Sequence, residues 1–198
     1  GELTLEQALG HSCNIYFAKL ALDIGAEALQ EKAEEMGFGE SFQFDSITTH
    51  VSQIDLSDAS DLELAWSSVG QAEVMANPYH MALLMGAIAN GGTTPEPYLM
   101  GGGTRTEYTL TDSTTAAALH EMMRNSVANY YGDSMFGGYT VCAKTGTAEL
   151  DDQNPNCWIV GFSDDPDAPY AFAVCVQEGD SGLYTAGQVI AAALNALT

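Results

Sequence analysis

Positive charge is scarce in this sequence. Five of its 198 residues are Lys or Arg against 27 Asp and Glu, which leaves a formal charge of -22 at pH 7. Such a surface cannot neutralise phosphates, so nucleic acid is excluded as a partner and anionic membrane faces are unfavourable. The acidity itself reads as a solvated surface. It also makes each cation informative, and the only lysines are Lys19, Lys32 and Lys144. Long apolar runs are missing too. No stretch approaches the roughly 20 residues that span a bilayer, and no signal-peptide pattern is present. The chain opens on Gly1 rather than Met, which reads as an excised piece, with any anchor or targeting segment expected upstream.

Metal-binding and phosphate-binding patterns are equally sparse. The four cysteines, Cys13, Cys142, Cys157 and Cys175, show no C-x-x-C spacing and no nearby His pair. Their spacing argues against a zinc site, and no cofactor is expected. Three of them lie in apolar runs, where a free thiol behaves as a small hydrophobe, and one disulfide remains open to an exported protein. His11, His50, His80 and His120 are scattered, and without a G-x-S-x-G elbow or a paired acid they give no Ser-His-Asp triad. His80, on an apolar helix, reads as a core histidine. Met81, Met85, Met122 and Met123 read as core filler. Asp151-Asp152 and Asp164-Asp165 lack calcium-loop spacing and read as solvated loops. Gly101-Gly102-Gly103 reads as a bend and lacks the strand–loop–helix setting of a phosphate cradle.

Apolar residues make up 46% of the chain, enough for one domain with a substantial core. Thr4 with Gln7 resembles a capping box opening a helix over 5–9. Helices are predicted over 15–22 and 26–36, stopped by Gly25 and Gly37. Residues 38–60 read as a long surface loop with short strands at most. A helical block begins at Asp61 and breaks at Gly70. Asn77-Pro78 then caps a helix over 79–90 that is apolar nearly all round, hence buried. Pro95 and Pro97 bracket a turn, 105–110 is a short strand, and Thr111 or Asp112 caps a helix to about Val127. Strands over 139–144, 157–162 and 170–176 form an antiparallel meander, and a helix over 183–197 follows. The whole is an α+β domain.

Two motifs carry chemistry. Lys144-Thr145-Gly146-Thr147 stands at the end of an apolar strand, and Lys-Thr-Gly followed by Thr or Ser arises by chance on the order of once per two hundred chains this long. A lysine there supplies positive charge, and the hydroxyls of Thr145 and Thr147 can bind a carboxylate. Gly146 lets a ligand backbone lie against the strand, and the Thr147 N–H can face a developing oxyanion. The second motif, Ser12-Cys13-Asn14, is weak alone because Ser-x-Asn often just caps a helix. It gains weight from preceding Lys-Thr-Gly.

This ordered pair resembles penicillin-binding proteins, which carry Ser-x-x-Lys, Ser-x-Asn and Lys-Thr-Gly motifs. The chain looks like the C-terminal part of a class B-type transpeptidase domain. Ser68-Val69-Gly70-Gln71, Ala89-Asn90-Gly91-Gly92 and Trp158-Ile159-Val160-Gly161-Phe162 resemble further family segments, and the likeness runs from about Thr4 onward. The resemblance implies a single partial domain over 1–198 in the penicillin-binding, serine β-lactamase-like fold: a helical block, a three-stranded meander and a C-terminal helix. The family's Ser-x-x-Lys is absent, because no serine lies three residues before Lys19, Lys32 or Lys144. The expectation is that it lies upstream and that the fragment alone is inactive.

The resemblance further implies a serine-type peptidoglycan D,D-transpeptidase that cross-links stem peptides ending in D-Ala-D-Ala through an acyl-enzyme, and that β-lactams bind. Ser12 would relay a proton to the leaving amine, Asn14 would hold the substrate amide, and Lys144 would raise the potential and hold Ser12. Thr145 and Thr147 would bind the terminal carboxylate, Gly146 would let the substrate lie against the strand, and the Thr147 N–H would stand in the oxyanion hole. Localisation would be extracytoplasmic, with a membrane anchor outside this chain. Self-association through the face bared by the missing part is also expected. Two alternatives stay open: a non-catalytic penicillin- or peptidoglycan-binding or sensor module, and a D,D-carboxypeptidase or β-lactamase-type hydrolase.

Overall fold

The computed structural model describes residues 1–72, 74–100 and 105–197, so the Gly101-Gly102-Gly103 bend lies outside the described residues. The elements are α1 (Leu5–Gly10), α2 (Asn14–Ile24), α3 (Ala26–Glu35), β1 (Gln43–Phe44), β2 (Ile47–Thr48), α4 (Asp61–Ser67), α5 (Pro78–Ala89), β3 (Thr93–Pro95), β4 (Glu107–Thr109), α6 (Ser113–Ser126), β5 (Val141–Leu150), β6 (Gln153–Ser163), β7 (Ala171–Val176) and α7 (Gly187–Ala196). They are α+β in content and fall into two compact units: Gly1–Cys13 with Ala117–Thr198, and Asn14–Ala116. No helix among the described residues is long and apolar enough to cross a membrane.

The Asn14–Ala116 unit is mostly helical, and local sequence sets its helix starts. Ser60 and Glu63 form a reciprocal capping box on α4. The Asn77 side chain accepts the Tyr79 N–H, with Pro78 in the first turn of α5. Asp112 accepts the N–H groups of Thr114 and Thr115 at 2.9 Å each, which starts α6. Helix α5 is buried through Leu83, Leu84, Met85, Ala87 and Ile88, as its unbroken apolar sequence requires. A smaller core joins Ala21, Leu56 and Leu64.

Two segments differ from the sequence-based expectation. The 38–60 stretch carries the β1–β2 hairpin but also buries Phe42, Ser52 and Leu56. Pro95, expected to bracket a turn with Pro97, instead ends a strand over 93–95 that pairs with 107–109. Pro95 is tolerated because it ends the strand, where a missing N–H costs little.

A polar contact explains why the 38–60 stretch is drawn inward. His80 is fully buried, with Nδ1 2.8 Å from Ser52 Oγ and Nε2 2.8 Å from the Met36 carbonyl. Ser52 Oγ also accepts the Asn77 N–H at 2.9 Å. Every group is satisfied if Ser52 donates to Nδ1 and Nε2–H donates to Met36, which is the neutral imidazole. The ring stacks on Phe42 and meets the edge of Phe38. Burial pushes the His80 imidazole below its ordinary range, and the hydrogen bond to Met36 offsets this only in part.

In the other unit, β5, β6 and β7 form an antiparallel meander in that order. Cys142 stands opposite Phe162, Lys144 opposite Val160 and Gly146 opposite Trp158. Side chains alternate across the sheet. Val141, Ala143, Cys157 and Ile159 point to one face and pack with Phe136, Ala186, Ile190 and Leu194 into the main core. Cys142 and Lys144 point to the other. Strand β5 runs six residues past the predicted end at Lys144, so the Lys-Thr-Gly motif sits in mid-strand. Pairing with the long β6 carries it through Gly146.

Helix α6 runs into a π-turn over Val127–Tyr131 and a 3₁₀ turn over Asp133–Phe136. A second π-turn, Gly182–Ala186, precedes α7 where one continuous helix was expected. Arg124 grips Asp133 through both carboxylate oxygens, at 2.6 and 2.7 Å, and donates to the Val141 carbonyl at 2.7 Å. It thereby pins the first turns after α6 to the start of β5. All four cysteines are free thiols.

The His80 network gives a testable pH dependence. The folded imidazole binds its proton less tightly than the unfolded one, so the unfolded chain takes up more protons below about pH 6.5. Stability should therefore fall as pH drops from 6.5 through the folded value. Urea denaturation across that range should show this loss in the wild type, and His80→Gln should flatten it while lowering stability at neutral pH.

Candidate active site

Ser12 owes its position to the way α1 ends. The Cys13 N–H bonds to the Ala8 carbonyl at 2.9 Å and the Ser12 N–H to Leu9 at 3.0 Å. These two bonds make a Schellman motif with Ser12 at the residue that turns left-handed. Its φ is 51°, a region where a side chain costs about 1 kcal/mol and glycine is usual. At the other end of α1, Thr4 and Gln7 form the predicted capping box. The Tyr130 ring lies over Gly10, where any side chain would overlap it, and meets His11 edge-on at 4.7 Å. A six-residue helix is thus capped at both ends and braced from the side, and it presents an exposed serine in a strained conformation. Such strain persists where the surroundings over-determine it.

Lys144 reaches that serine. Its Nζ lies 2.5 Å from Ser12 Oγ and 2.7 Å from the Thr145 carbonyl. An ammonium group has three donors and no acceptor, so the direction of the bond is fixed: Lys144 donates and Ser12 accepts. The Ser12 hydroxyl proton therefore points elsewhere and is available to a third partner. Within Gly1–Cys13 and Ala117–Thr198 the only cationic side chains are Lys144 and Arg124. Asp133 occupies Arg124, so the positive potential of the site comes from Lys144.

Strand β5 is the edge of its sheet among the described residues. Thr145 accepts Lys144 on its carbonyl and donates its N–H to Tyr131 Oη at 3.2 Å. Both groups of Thr145 thus point away from β6, and by the alternation of an antiparallel pair the N–H of Thr147 does so too. The threonine hydroxyls are also arranged. Thr147 Oγ1 accepts the Gly182 N–H at 3.1 Å, which leaves its own proton free to donate. Thr145 Oγ1 lies 3.2 Å from Tyr131 Oη. A ligand along this edge meets an ammonium on one face, two hydroxyls on the other and an N–H in plane. Those are the complements of a carboxylate and of a developing oxyanion.

The residues that hold this edge were not among those expected from sequence. Tyr131 ends the π-turn after α6, and Gly182 begins the one before α7. A side chain at Gly182 would collide with the Gly146 and Trp158 carbonyls, so glycine is required for the turn to reach Thr147. Gly146 is different. A methyl group there would stand 3.4 Å from Trp158 Cβ, an ordinary contact, so the fold does not demand glycine. Asn14 is exposed and is the first residue of α2, at the start of the other unit.

An αL serine bonded to a strand-borne Lys-Thr-Gly lysine, beside an open sheet edge, gathers one ammonium, two hydroxyls and a backbone N–H, a donor set suited to an anionic group. The comparisons sharpen this reading. The family model for the penicillin binding protein transpeptidase domain matches residues 1–197. Peptidoglycan D,D-transpeptidase PbpA of Mycolicibacterium smegmatis is 29% identical over 99% of this chain and 43% of its own length. The structure of penicillin-binding protein A from M. tuberculosis as its ceftriaxone acyl-enzyme complex superposes with a TM-score of 0.87 at 26% identity, over 99% of this chain and 49% of that one. The D,D-transpeptidase domain of a peptidoglycan glycosyltransferase from Eggerthella lenta gives 0.84 at 27% identity, over 100% of this chain and 54% of that one. The chain belongs to the penicillin-binding protein transpeptidase domain family. It spans about half the length of the relatives it matches.

The backbone at Ser12 can be tested separately from its hydroxyl. Ser12→Gly and Ser12→Ala both remove the bond to Lys144, but only glycine relieves the left-handed strain. Ser12→Gly should be the more stable by about 1 kcal/mol, a Tm difference of roughly 2–4 °C. Equal Tm values would show that the Schellman geometry does not hold in solution.

Proposed function

We propose that this chain supplies the proton-relay and carboxylate-binding half of a peptidoglycan D,D-transpeptidase, and that a Ser-x-x-Lys segment outside residues 1–198 supplies the nucleophile. The observation that carries the reading is the 2.5 Å bond from Lys144 to Ser12, across 132 residues of chain. The named relatives support it, because one is called a D,D-transpeptidase and another was solved as a β-lactam acyl-enzyme.

In this reading the serine oxygen attacks the carbonyl carbon between two D-alanines, and its proton passes to the lysine of Ser-x-x-Lys. The tetrahedral oxyanion takes the Thr147 N–H as one donor. Lys144 and the hydroxyls of Thr145 and Thr147 hold the terminal carboxylate. The C–N bond then breaks, and Ser12, whose proton Lys144 leaves free, protonates the departing D-alanine amine while taking up the proton held by the lysine of Ser-x-x-Lys. An amine from a second stem peptide attacks the acyl-enzyme and completes the cross-link. Asn14 holds the substrate amide, as the family resemblance implies. A β-lactam enters by the same acylation and stays bound. The reading places the protein outside the cytoplasm, anchored by a segment beyond these residues.

Fluorescent penicillin provides the test, applied to this chain and to the full-length protein. Covalent labelling of the full-length protein alone is expected. Labelling of neither would favour a non-catalytic binding module. Within the full-length protein, Lys144→Ala should slow acylation by roughly 100-fold or more. Gly146→Ala should slow it as well while shifting stability by no more than about 0.5 kcal/mol, because nothing in the fold needs that glycine. A Gly146→Ala protein that acylates normally would remove the open edge as the binding site.

We also propose that the isolated chain self-associates. Ile15, Leu62, Leu99, Met100 and Tyr184 are large apolar side chains left exposed. Sedimentation velocity should show concentration-dependent species above the monomer, and a single monomeric boundary would oppose it.

A further inference from the structure

Three potential metal ligands converge on the same face of β5 as Lys144, although nothing in their spacing announces them. His120 lies on α6, Cys142 on β5 two residues before Lys144, and Asp164 just past the end of β6. Asp164 Oδ2 is 2.8 Å from His120 Nε2 and 3.3 Å from Cys142 Sγ. The three ligand atoms all lie within 4.8 Å of one another. The sulfur is fully buried, while the imidazole and carboxylate are 33% and 31% exposed. The cluster is a cup with a soft donor at its floor and two harder donors at its rim.

We propose that His120, Cys142 and Asp164 form a site for a zinc-type divalent ion, with the fourth position open to solvent. Thiolate, imidazole and carboxylate together suit Zn²⁺ rather than Ca²⁺ or Mg²⁺, which take oxygen ligands. Bonds of roughly 2.0–2.3 Å in a tetrahedron put ligand atoms about 3.3–3.6 Å apart. The sulfur and the carboxylate oxygen already stand near that separation; the imidazole nitrogen has to move about half an ångström away from the oxygen, and its distance to the sulfur, at most 4.8 Å, has to come into the same range. The His120 ring is held edge-on against Phe162, the residue opposite Cys142 in the sheet.

An ordinary hydrogen bond explains His120 and Asp164, but it gives no reason for a buried thiol aimed at the same oxygen. A cysteine nucleophile does not fit either. The carboxylate, not the imidazole, faces the sulfur, and burial together with the Asp164 charge pushes the thiol well above its ordinary range. Of the other charges nearby, Arg124 opposes a cation, and Asp133 neutralises it. Binding replaces the S–H···O bond with a metal–thiolate bond, so one proton leaves for solvent per ion. The ion ties α6, β5 and the end of β6 together and braces the strand that carries Lys144.

Zinc titration by calorimetry, in buffers of different ionisation enthalpy, should give one ion per chain and about one proton released. Cobalt should produce an intense thiolate-to-cobalt charge-transfer band, and zinc should raise Tm by a few degrees. His120→Gln and Asp164→Asn, at partly exposed positions the fold can spare, should each weaken binding at least tenfold. Cys142→Ala should abolish the band. With 27 acidic residues the surface can collect cations diffusely. Weak multi-ion binding, unchanged in all three variants and without the cobalt band, would overturn the proposal.

Discussion

The hydrogen bond from Lys144 to Ser12 joins segments 132 residues apart, and much of the unit that contains them serves to make it possible. Ser12 must leave α1 left-handed to face the strand, which needs α1 capped at its start and braced by Tyr130. Lys144 must project from a strand whose own edge stays open, which needs β6 on one side only. The turns holding Thr145 and Thr147 come from Tyr131 and Gly182, in the two π-turns that flank the sheet. Such turns widen a helix by one residue and re-aim the chain beyond it, and they recur at functional sites.

Much of the fold could be read from the chain because local chemistry decided it. Thr4 with Gln7, Asn77-Pro78 and Asp112 each satisfy backbone donors within a few residues, so their helices begin where sequence places them. The unbroken apolar run of α5 could only be buried. The misreadings share one cause, which is pairing with distant segments. Strand β5 passes through Gly146 because β6 is long enough to hold it. Residues 93–95 become a strand because 107–109 lie alongside. Phe42 and Ser52 are drawn inward by His80, a residue 28 positions beyond Ser52. No window of neighbouring residues contains that information.

The candidate site divides in the same way. Lys144, Thr145, Gly146 and Thr147 were readable because their chemistry is contiguous, and Ser12 because its motif precedes theirs. Tyr131 and Gly182 were not, since an isolated tyrosine and an isolated glycine have many uses. The cluster of His120, Cys142 and Asp164 was hidden for the same reason, its members being 22 and 44 residues from Asp164. Sequence spacing argued against zinc because it sees only ligands that lie close along the chain.

Lys144 sits in a protein whose charge over these residues is -22, and that contrast has a kinetic meaning. On the proposed function, an anionic substrate crossing solvent meets repulsion before it meets the lysine. Long-range repulsion is screened beyond about 8 Å at physiological salt, whereas a contact between a half-buried ammonium and a carboxylate is screened far less. Ionic strength therefore acts mainly on arrival and hardly on holding. Capture by this site should quicken as salt rises, the reverse of an electrostatically steered encounter. An acidic surface around a single cation makes the site a slow gate in dilute solution and an unobstructed one in brine.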